Sequence, residues 1–424
     1  MKEKVITRFA PSPTGYLHLG AYRTAIFSYL YAKKHNGAFV LRIENTDRVR
    51  STKEYEENII ESLKWLGLSY DRFYRQSEHV ETHKKYLEKM IKEGNAYLSQ
   101  EEAKDGSKKM KEIIRFKNPN IDISFEDEIK GKVVMNTKDL GNFVIAKNLN
   151  EPLFHLAVVV DDFEAGITHV IRGEDHTSNT PRQILIQRAI GAPTPVYAHL
   201  PLVLGPDKLK LSKRRGAQPI NYYKEMGFLP DAILNGVAFI THDELVKAFD
   251  FSKVQKSPAI FNEEKLEWFN KEHIKKLSVE ELKNKIFEYL PNNLKIERII
   301  PIIAERISKW NDVKDMVTRG ELDFFYKEPK YEKEKLIYKN SSLEKTASNL
   351  KESVMALEKL SEKDFTKENV KNILMKITDR LESRGELLHP VRYALSGLDK
   401  SPDPFVIAEV LGKNETLSRL QKAI

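Results

Sequence analysis

The sequence predicts an α/β protein in which a doubly wound parallel sheet is interrupted by an α/β insertion and followed by an all-helical region. Three observations predict this architecture. Strand-like apolar runs alternate with amphipathic helical stretches near the N-terminus, as in βαβ units. Short β-like runs separated by polar turns follow from Ala96 to Val170. From Gln218 onward the apolar residues recur at helical spacing almost throughout.

The first elements are predicted as strand, helix, strand and helix. Val5 to Phe9 is strand-like, and Tyr22 to His35 is an amphipathic helix that ends in basic residues, where cations suit the helix dipole. Ala38 to Glu44 predicts a buried strand. Ser51 and Glu54 form a candidate capping box for the next helix. This order predicts half of a nucleotide-binding sheet of the Rossmann-like type.

The middle of the chain contains further candidate elements. A helix is expected over about Glu78 to Lys92. Val158 to Val160 is continuous and apolar, which predicts a central strand with Asp161 and Asp162 at its end. A later helix is expected to begin at Thr180, whose hydroxyl would cap it ahead of a proline.

The last part of the chain predicts one more strand and then helices. The run VYAHLPLVL reads as a strand, and it precedes a loop, GPDKLKLSKRRGA, that is rich in basic residues. Thr241 with Glu244, and Ser278 with Glu281, offer capping boxes for later helices. The region 321–362 is rich in Lys and Glu and is expected to be mostly solvated helix.

Composition bounds the class of protein. A chain of 424 residues can form two or more domains, and its net charge of +8 suits a polyanionic partner. The absence of cysteine excludes disulfides and thiolate zinc sites. No apolar run reaches membrane-spanning length and the N-terminus lacks a signal-peptide core, so we expect no membrane association and a cytoplasmic location.

The stretch TRFAPSPTGYLHLGA, from Thr7 to Ala21, is the first candidate site. It connects a predicted strand to a predicted helix N-terminus, where phosphate oxygens bind. Gly15 and Gly20 leave room for a flat base to approach the backbone, and His18 adds a donor that titrates near neutral pH. On its own, the same pattern would fit a βα loop with an incidental histidine.

Three motifs together resemble class I aminoacyl-tRNA synthetases. PSPTGYLHLG resembles the "HIGH" signature in its glutamyl form, with Ala21 in place of the second histidine. KLSKR, from Lys210 to Arg214, resembles the "KMSKS" signature, although a basic run alone would read as a solvated surface. HVIRGEDH, from His169 to His176, resembles the segment that supplies the substrate-binding arginine of glutamyl-tRNA synthetases.

The resemblance implies roles for individual residues. Catalysis is assigned to His18, Lys210 and Lys213, and ATP binding to Gly15, His18, Gly20 and Lys213. Glutamate binding is assigned to Arg8, Ser12, Glu44, Phe154 and Arg172. The lysines would follow negative charge onto the departing pyrophosphate, and Arg172 would grip the substrate's side-chain carboxylate. Glu44 would receive the α-ammonium. Two arginines and one carboxylate match the two carboxylates and one ammonium of glutamate.

The sequence also departs from the family pattern. Asn45 stands where the family has aspartate in RIEDTD, and Phe154 stands where it has a substrate-contacting tyrosine. Losing the phenolic hydroxyl removes a hydrogen bond of about 1 kcal/mol. The segments between Leu98 and Phe116 and after Ile240 are shorter than the family leads us to expect.

The resemblance implies the domains and the reaction. We expect a catalytic domain at 1–95 and 186–217, an acceptor-binding insertion at 96–185, a helical junction at 218–300 and a helical anticodon-binding domain at 301–424. The expected reaction is ATP-dependent ligation of L-glutamate to tRNA-Glu by a monomer, with Mg²⁺ accompanying ATP and without zinc. Three alternatives remain: a paralogue that charges chiefly tRNA-Gln, a glutamyl-queuosine tRNA synthetase, and a tRNA-binding protein that activates no amino acid.

Overall fold

The computed structural model describes residues 4–102, 110–209, 211, 218–238 and 245–424. The chain divides into two compact units, Met1–Asn270 and Lys271–Ile424. None of the helices in the described ranges combines the length and the hydropathy needed to cross a membrane.

The first unit begins with alternating strands and helices, as the sequence predicts. These elements are β1 (Ile6–Phe9), α1 (Leu19–Lys34), β2 (Ala38–Ile43), α2 (Lys53–Trp65), β3 (Arg72–Arg75) and α3 (Val80–Lys92). The three strands are parallel, with β1 paired to β2 and β2 to β3. Every residue of β2 is buried, so this strand lies inside the sheet with helices on both faces.

The insertion follows and returns to the sheet. Its elements are β4 (Ala96–Glu102), β5 (Met110–Phe116), β6 (Asp122–Asp127), β7 (Gly131–Asn136), β8 (Val144–Asn148), β9 (Glu151–Pro152), α4 (Phe154–Glu164), β10 (His169–Gly173), α5 (Thr180–Ile190), β11 (Val196–Leu200) and β12 (Val203–Leu204). β4, β5, β8 and β9 form an antiparallel sheet, and β6 and β7 form a hairpin. β10 and β11 are parallel, and the N–H of Thr168 donates to the carbonyl of Ile6, which joins β10 to β1.

The predicted central strand over Val158 to Val160 is wrong, because these residues lie in helix α4. An apolar run without clear periodicity fits a buried helix as well as a buried strand. Here the helix is buried around most of its circumference, from Leu156 to Asp162, so no polar face marks its period. Asp161 and Asp162 therefore lie in a buried helix and not at the end of a strand.

Two predicted caps also differ from the structure. Helix α2 is capped by Thr52, whose hydroxyl accepts a hydrogen bond from the N–H of Tyr55, and not by Ser51. Helix α5 begins at Thr180, but no side chain caps it. The Thr180 hydroxyl accepts a hydrogen bond from Arg172 instead, at 2.8 Å. The run VYAHLPLVL is divided at Pro201 into β11 and β12, because proline lacks the N–H that would continue the ladder.

Helices predominate in the part of the chain that is described after β12, where the short strand β13 (Ala259–Ile260) pairs with β12. The helices are α6 (Ile220–Glu225), α7 (Pro230–Ala238), α8 (Leu245–Ala248), α9 (Glu263–Ile274), α10 (Val279–Tyr289), α11 (Ile300–Arg306), α12 (Asn311–Thr318), α13 (Leu343–Leu357), α14 (Lys367–Thr378), α15 (Gly385–Ser396) and α16 (Pro404–Ala423). The Ser278–Glu281 capping box is confirmed at α10. Thr241 and Glu244 lie outside the described residues.

The prediction of mostly solvated helix over 321–362 is only partly correct. Between α12 and α13 the chain forms two short 3-10 turns, Asp323–Phe325 and Lys333–Leu336, joined by irregular backbone. The side chains of Phe324, Phe325 and Leu336 are buried. The high charge content of this segment led to the prediction of solvated helix. The few apolar side chains between α12 and α13 are buried instead, and the backbone packs around them without forming an α-helix.

Candidate active site

A cavity of about 290 Å³ lies where the parallel strands β1, β2, β10 and β11 end. The carboxyl ends of parallel strands are the place where α/β sheets bind ligands. The residues that line it come from the strand ends, from the start of α1, from α4 and from the segment after β11. They are Arg8, Phe9, Ala10, Pro11, Leu17, His18, Gly20, Ala21, Arg23, Thr24, Glu44, Phe154, Val158, Arg172, Gly173, Asp175, His176, Leu200, Pro201, Leu202, Val203 and Leu211.

The turn between β1 and α1 is fixed by backbone hydrogen bonds. The carbonyl of Pro11 accepts from the N–H of Glu44 at 2.9 Å, which holds the turn against the end of β2. His18 is the residue directly before α1, where the helix presents its positive end. A Cβ on Gly20 would approach the His18 imidazole to 3.1 Å, so glycine makes room for this ring. Gly15 has a φ of 152°, which favours glycine.

Arg8, Arg42, Glu44 and Asp162 form one buried ion cluster, which we call the Asp162 cluster. The Asp162 carboxylate accepts from Arg8 Nε at 3.2 Å and from Arg42 Nη1 at 2.5 Å. Arg42 Nη2 donates to Glu44 Oε1 at 2.9 Å. The side chains of this cluster are between 0% and 9% exposed. Each charge is therefore paired with an opposite charge at short range, as burial requires.

The pKa values of the two carboxylates in the Asp162 cluster shift in opposite directions. Burial alone would raise the pKa of Asp162, but the adjacent Arg8 and Arg42 outweigh it and lower that pKa below its ordinary value. Burial also raises the pKa of Glu44, and its single close partner, Arg42, offsets this only in part. Glu44 would therefore gain from a further cation beside it.

Arg172 is buried among neutral acceptors, which we call the Arg172 cluster. Its Nε donates to His199 Nε2 at 3.1 Å, its Nη1 to Gln183 at 2.7 Å and its Nη2 to Thr180 at 2.8 Å. Within the described ranges no carboxylate forms an ion pair with it. Burial lowers the pKa of Arg172 to about 10, and the nearby Tyr197, Asp162 and Glu44 oppose this shift only in part.

The hydrogen bond from Arg172 fixes the tautomer of His199. Since Nε2 accepts from Arg172, the proton must lie on Nδ1, which donates to Asp127 Oδ2 at 2.6 Å. Burial and the positive Arg172 outweigh the Asp127 carboxylate and lower the pKa of His199. Asp127 also accepts from the N–H groups of Ile129 and Lys130. Asp127, at the end of β6, thus holds His199 in place as a hydrogen-bond acceptor for Arg172.

Most residues predicted from the sequence meet at this cavity. The cavity is lined by Arg8, His18, Gly20, Glu44, Phe154 and Arg172. Ser12 and Gly15 lie on the same turn but do not line it. Lys210 and Lys213 lie outside the described residues, whereas Leu211 between them lines the cavity and donates its N–H to the carbonyl of Val203 at 2.9 Å. The predicted roles remain predictions.

The sequence reasoning missed several supporting residues. Arg42 lies within an apolar run, AFVLRIE, and a charge inside a buried strand signals a buried counter-ion. That signal was available. The sequence contains no such signal for Gln183 and His199, because they lie on α5 and β11, which only the fold brings to Arg172. Asn45, which departs from the family pattern, accepts from the N–H of Ser77 at 3.0 Å.

Comparison with known proteins identifies the family. A model of "tRNA synthetases class I (E and Q), catalytic domain" matches residues 4–104 and 98–268, and one of "Anticodon binding domain" matches 261–424. A glutamate–tRNA ligase of Thermodesulfovibrio yellowstonii is 39% identical over 99% of this chain and 99% of its own. The chain belongs to the glutamate–tRNA ligase family.

Other members of the glutamate–tRNA ligase family agree with this assignment. The protein from Aquifex aeolicus is 46% identical over 71% of both chains. A crystal structure of a glutamate tRNA ligase from Elizabethkingia meningosepticum, in complex with its amino acid, has a TM-score of 0.85 and 32% identity, and covers 99% of each chain. The Rossmann-like catalytic fold and the helical C-terminal region are therefore confirmed.

Proposed function

We propose that this protein ligates L-glutamate to the 3′ end of tRNA through a glutamyl-adenylate, releasing AMP and pyrophosphate. The observation that carries the proposal is Arg172, a buried cation without a carboxylate partner in the described ranges, which lines the same cavity as Glu44 and His18. Membership of the glutamate–tRNA ligase family supports the choice of substrates.

The charges around the cavity favour glutamate. Arg8, Arg42 and Arg172 exceed Glu44 and Asp162 by one positive charge, and glutamate with its ammonium carries one net negative charge. Arg172 has five N–H donors and uses three on neutral acceptors, which leaves two for a bidentate grip on the side-chain carboxylate. Glu44 would receive the ammonium, and Arg8 and Ser12 the α-carboxylate end.

The remaining part of the cavity would hold ATP. Gly15, His18 and Gly20 would contact the nucleotide at the start of α1, where N–H groups and the helix dipole attract phosphate. In the first step, an oxygen of the glutamate α-carboxylate attacks the α-phosphorus, and the bond to pyrophosphate breaks. In the second step, a ribose hydroxyl of tRNA attacks the carbonyl carbon, loses its proton and displaces AMP.

Neither step needs a nucleophile from the enzyme. We assign the catalysis to positioning and to charge, with His18, Lys210 and Lys213 stabilising the phosphate charge that builds in the first step. Mg²⁺ would accompany ATP, whose phosphate oxygens are suitable ligands. In the described ranges, no group of three or more His, Asp or Glu side chains could hold a metal ion.

We also propose the domain roles that the family resemblance implies. Residues 96–185 would hold the acceptor end of tRNA beside the cavity of the catalytic domain, 1–95 and 186–217. The helices of 218–300 would form the junction, and those of 301–424 would contact the anticodon. We further propose that the protein acts as a monomer in the cytoplasm, on tRNA-Glu, with tRNA-Gln as the alternative acceptor.

The reaction is tested by glutamate-dependent exchange of pyrophosphate into ATP, with tRNA present so that an enzyme requiring bound tRNA is also detected. We expect exchange with wild-type protein and loss of it in Lys213→Ala. Aspartate in place of glutamate is the matched control and should give none. Absence of exchange with wild-type protein would reject the proposal. Aminoacylation of tRNA-Glu and tRNA-Gln transcripts, measured side by side, then decides the acceptor.

A further inference from the structure

One peptide bond in the cavity wall is held from both sides by buried or partly buried charges. It joins Pro201 to Leu202, where β11 ends and before β12 begins. The carbonyl of Pro201 accepts a hydrogen bond from Arg23 Nη1 at 2.5 Å. The N–H of Leu202 donates to Glu174 Oε1 at 2.9 Å. A cation thus meets the negative end of the peptide dipole, and an anion meets its positive end.

Arg23 is otherwise an unexplained charge. It lies on α1, is 4% exposed, and its guanidinium stands 5.2 Å from the ring centre of Phe27. It forms no ion pair within the described ranges, and its buried Nε has no hydrogen-bond partner there. Burial lowers the pKa of Arg23 to about 10, and the charge of Glu174 opposes this shift. In the described ranges the hydrogen bond of this buried cation goes to the carbonyl of Pro201.

Glu174 anchors the other side of the peptide. It follows the end of β10 and opens the 3-10 turn Glu174–Asn179. Its second oxygen forms an ion pair with Lys130, which fixes the carboxylate from the direction of the β6–β7 turn. The two anchors therefore come from α1, which begins directly after His18, and from the turn after β10, the strand that carries Arg172.

The position of this peptide connects it to the nucleotide end of the cavity. Pro201, Leu202 and Val203 line the cavity, and a Cβ on Gly20 would lie 3.9 Å from Val203 Cβ. The carbonyl of Leu202 accepts from the N–H of Ala259 at 3.1 Å, and the carbonyl of Val203 accepts from the N–H of Leu211 at 2.9 Å. The peptide thus lies beside the segment that holds Leu211 at the cavity.

We propose that Arg23 and Glu174 are positioning residues that clamp the Pro201–Leu202 peptide and so shape the ATP end of the cavity. The inference rests on the proposed function. The clamp acts on ATP and not on glutamate, because the glutamate end is built from the Asp162 and Arg172 clusters.

The test compares Arg23→Met, Glu174→Leu and the double variant by pyrophosphate exchange. Arg23→Met keeps the apolar stem on Phe27, and Glu174→Leu replaces a side chain that is only partly buried. We expect each single variant to raise KM for ATP at least about tenfold, because a hydrogen bond to a charged group is lost. KM for glutamate should stay within about twofold. KM for ATP in the double variant should be at most about twice that of the more impaired single variant, because both side chains act on one peptide.

Lys130→Met is the graded variant. It removes the ion pair that holds Glu174 and leaves the hydrogen bond to Leu202, so KM for ATP should rise less than in Arg23→Met or Glu174→Leu. Glu174→Gln keeps an acceptor in the same place, and Arg23→Lys keeps the charge and one donor. Both should recover part of the ATP affinity. Thermal unfolding of every variant separates this effect from loss of fold.

Three results would overturn the inference. One is a rise in KM for glutamate as large as that for ATP. The second is an effect of Arg23→Met without an effect of Glu174→Leu, which would make Arg23 a direct ligand of ATP. The third is an increase in KM for ATP in the double variant that equals the product of the two single increases. That result would mean that Arg23 and Glu174 act independently. These outcomes require an active wild-type enzyme, so they differ from failure of the proposed function, in which wild-type protein itself gives no exchange.

Discussion

Arg8 and Arg172 lie on neighbouring strands, β1 and β10, and both are buried, yet their surroundings differ. Arg8 shares the carboxylate of Asp162 with Arg42, and Glu44 completes a set of paired charges. Arg172 meets only the neutral acceptors His199, Gln183 and Thr180 within the described ranges. Neutral acceptors satisfy the guanidinium N–H groups without cancelling its charge. The comparison teaches that burial can be balanced in two ways, and we expect the Asp162 cluster to contribute more to stability and the Arg172 cluster more to binding an anion.

Removing the charge of Arg172 should give the largest effect. Arg172→Gln is expected to lower kcat/KM for glutamate at least about 1,000-fold, since a buried charge-assisted pair contributes roughly 4 kcal/mol. The free energy of unfolding should fall by less than about 1 kcal/mol, because the lost charge had no counter-ion. Exchange kinetics and denaturant unfolding measure the two quantities. Arg182→Gln, at a partly exposed position of α5, is the control with near-normal kinetics.

Removing the charge of Asp162 should affect mainly the free energy of unfolding, whereas removing that of Arg172 should affect mainly the kinetics with glutamate. Asp162→Asn leaves Arg8 and Arg42 with one carboxylate between them and is expected to cost about 3 kcal/mol of unfolding free energy. KM for glutamate should rise as Arg8 loses its orientation. Denaturant unfolding measures the first effect, and Asp162→Glu should restore part of it. If Arg172→Gln destabilises the protein as strongly as Asp162→Asn, the distinction between the clusters is wrong.

The pH dependence of stability sharpens the comparison. Burial and the positive charges of Arg182 and Arg172 lower the pKa of His155 to about 4, and burial followed by Arg172 does the same for His176. Unfolded histidine titrates near pH 6.5, so the unfolded state binds more protons between about pH 6.5 and 4, and stability falls as the pH falls through this range. Each histidine should cost about 2 kcal/mol between pH 7 and pH 5, so the two together should cost about 4 kcal/mol.

In Arg172→Gln this acid loss should be smaller, because a positive neighbour of both histidines is gone. The raised pKa of Glu44 works in the opposite direction, and the loss of Arg172, whose charge interacts with Glu44, should strengthen this contribution. Unfolding free energies measured at pH 7 and pH 5 provide the test. An equal loss in the two proteins would mean that burial alone keeps these histidines neutral.

The smallest expected effect concerns Phe154, which lines the cavity and is 38% exposed. Phe154→Tyr adds the hydroxyl that the family pattern carries. One additional hydrogen bond to glutamate would contribute about 1 kcal/mol and lower its KM about fivefold. Steady-state exchange kinetics measure it, with Phe163→Tyr near the other end of α4 as the control. An unchanged KM would show that the substrate does not reach this edge of the Arg172 cluster.

Much of the fold and part of the cavity could be predicted from the sequence. The strand–turn–helix that carries Arg8, His18 and Gly20 has a long motif, and parallel strands bring their carboxyl ends to one edge. Glu44 and Arg172 therefore fall beside it. These residues need only local pattern and sheet topology to be brought together.

The supporting residues could not be predicted in the same way. Asp162 lies in an apolar run that fits strand and helix equally well, and its assignment to a strand end hid its contact with Arg8. Gln183 and His199 reach Arg172 only because α5 and β11 pack around β10. Such contacts depend on tertiary packing, which leaves no periodicity in the sequence.

The depth of the two arginine clusters has a consequence for ionic strength. Mobile ions weaken an electrostatic interaction only where they can enter between the charges, and these side chains are nearly closed to solvent. Added salt should thus leave glutamate affinity almost unchanged, whereas the association of a polyanion with the exposed lysines of the surface should weaken steeply. The amino acid and the nucleic acid would respond to the same buffer in different ways.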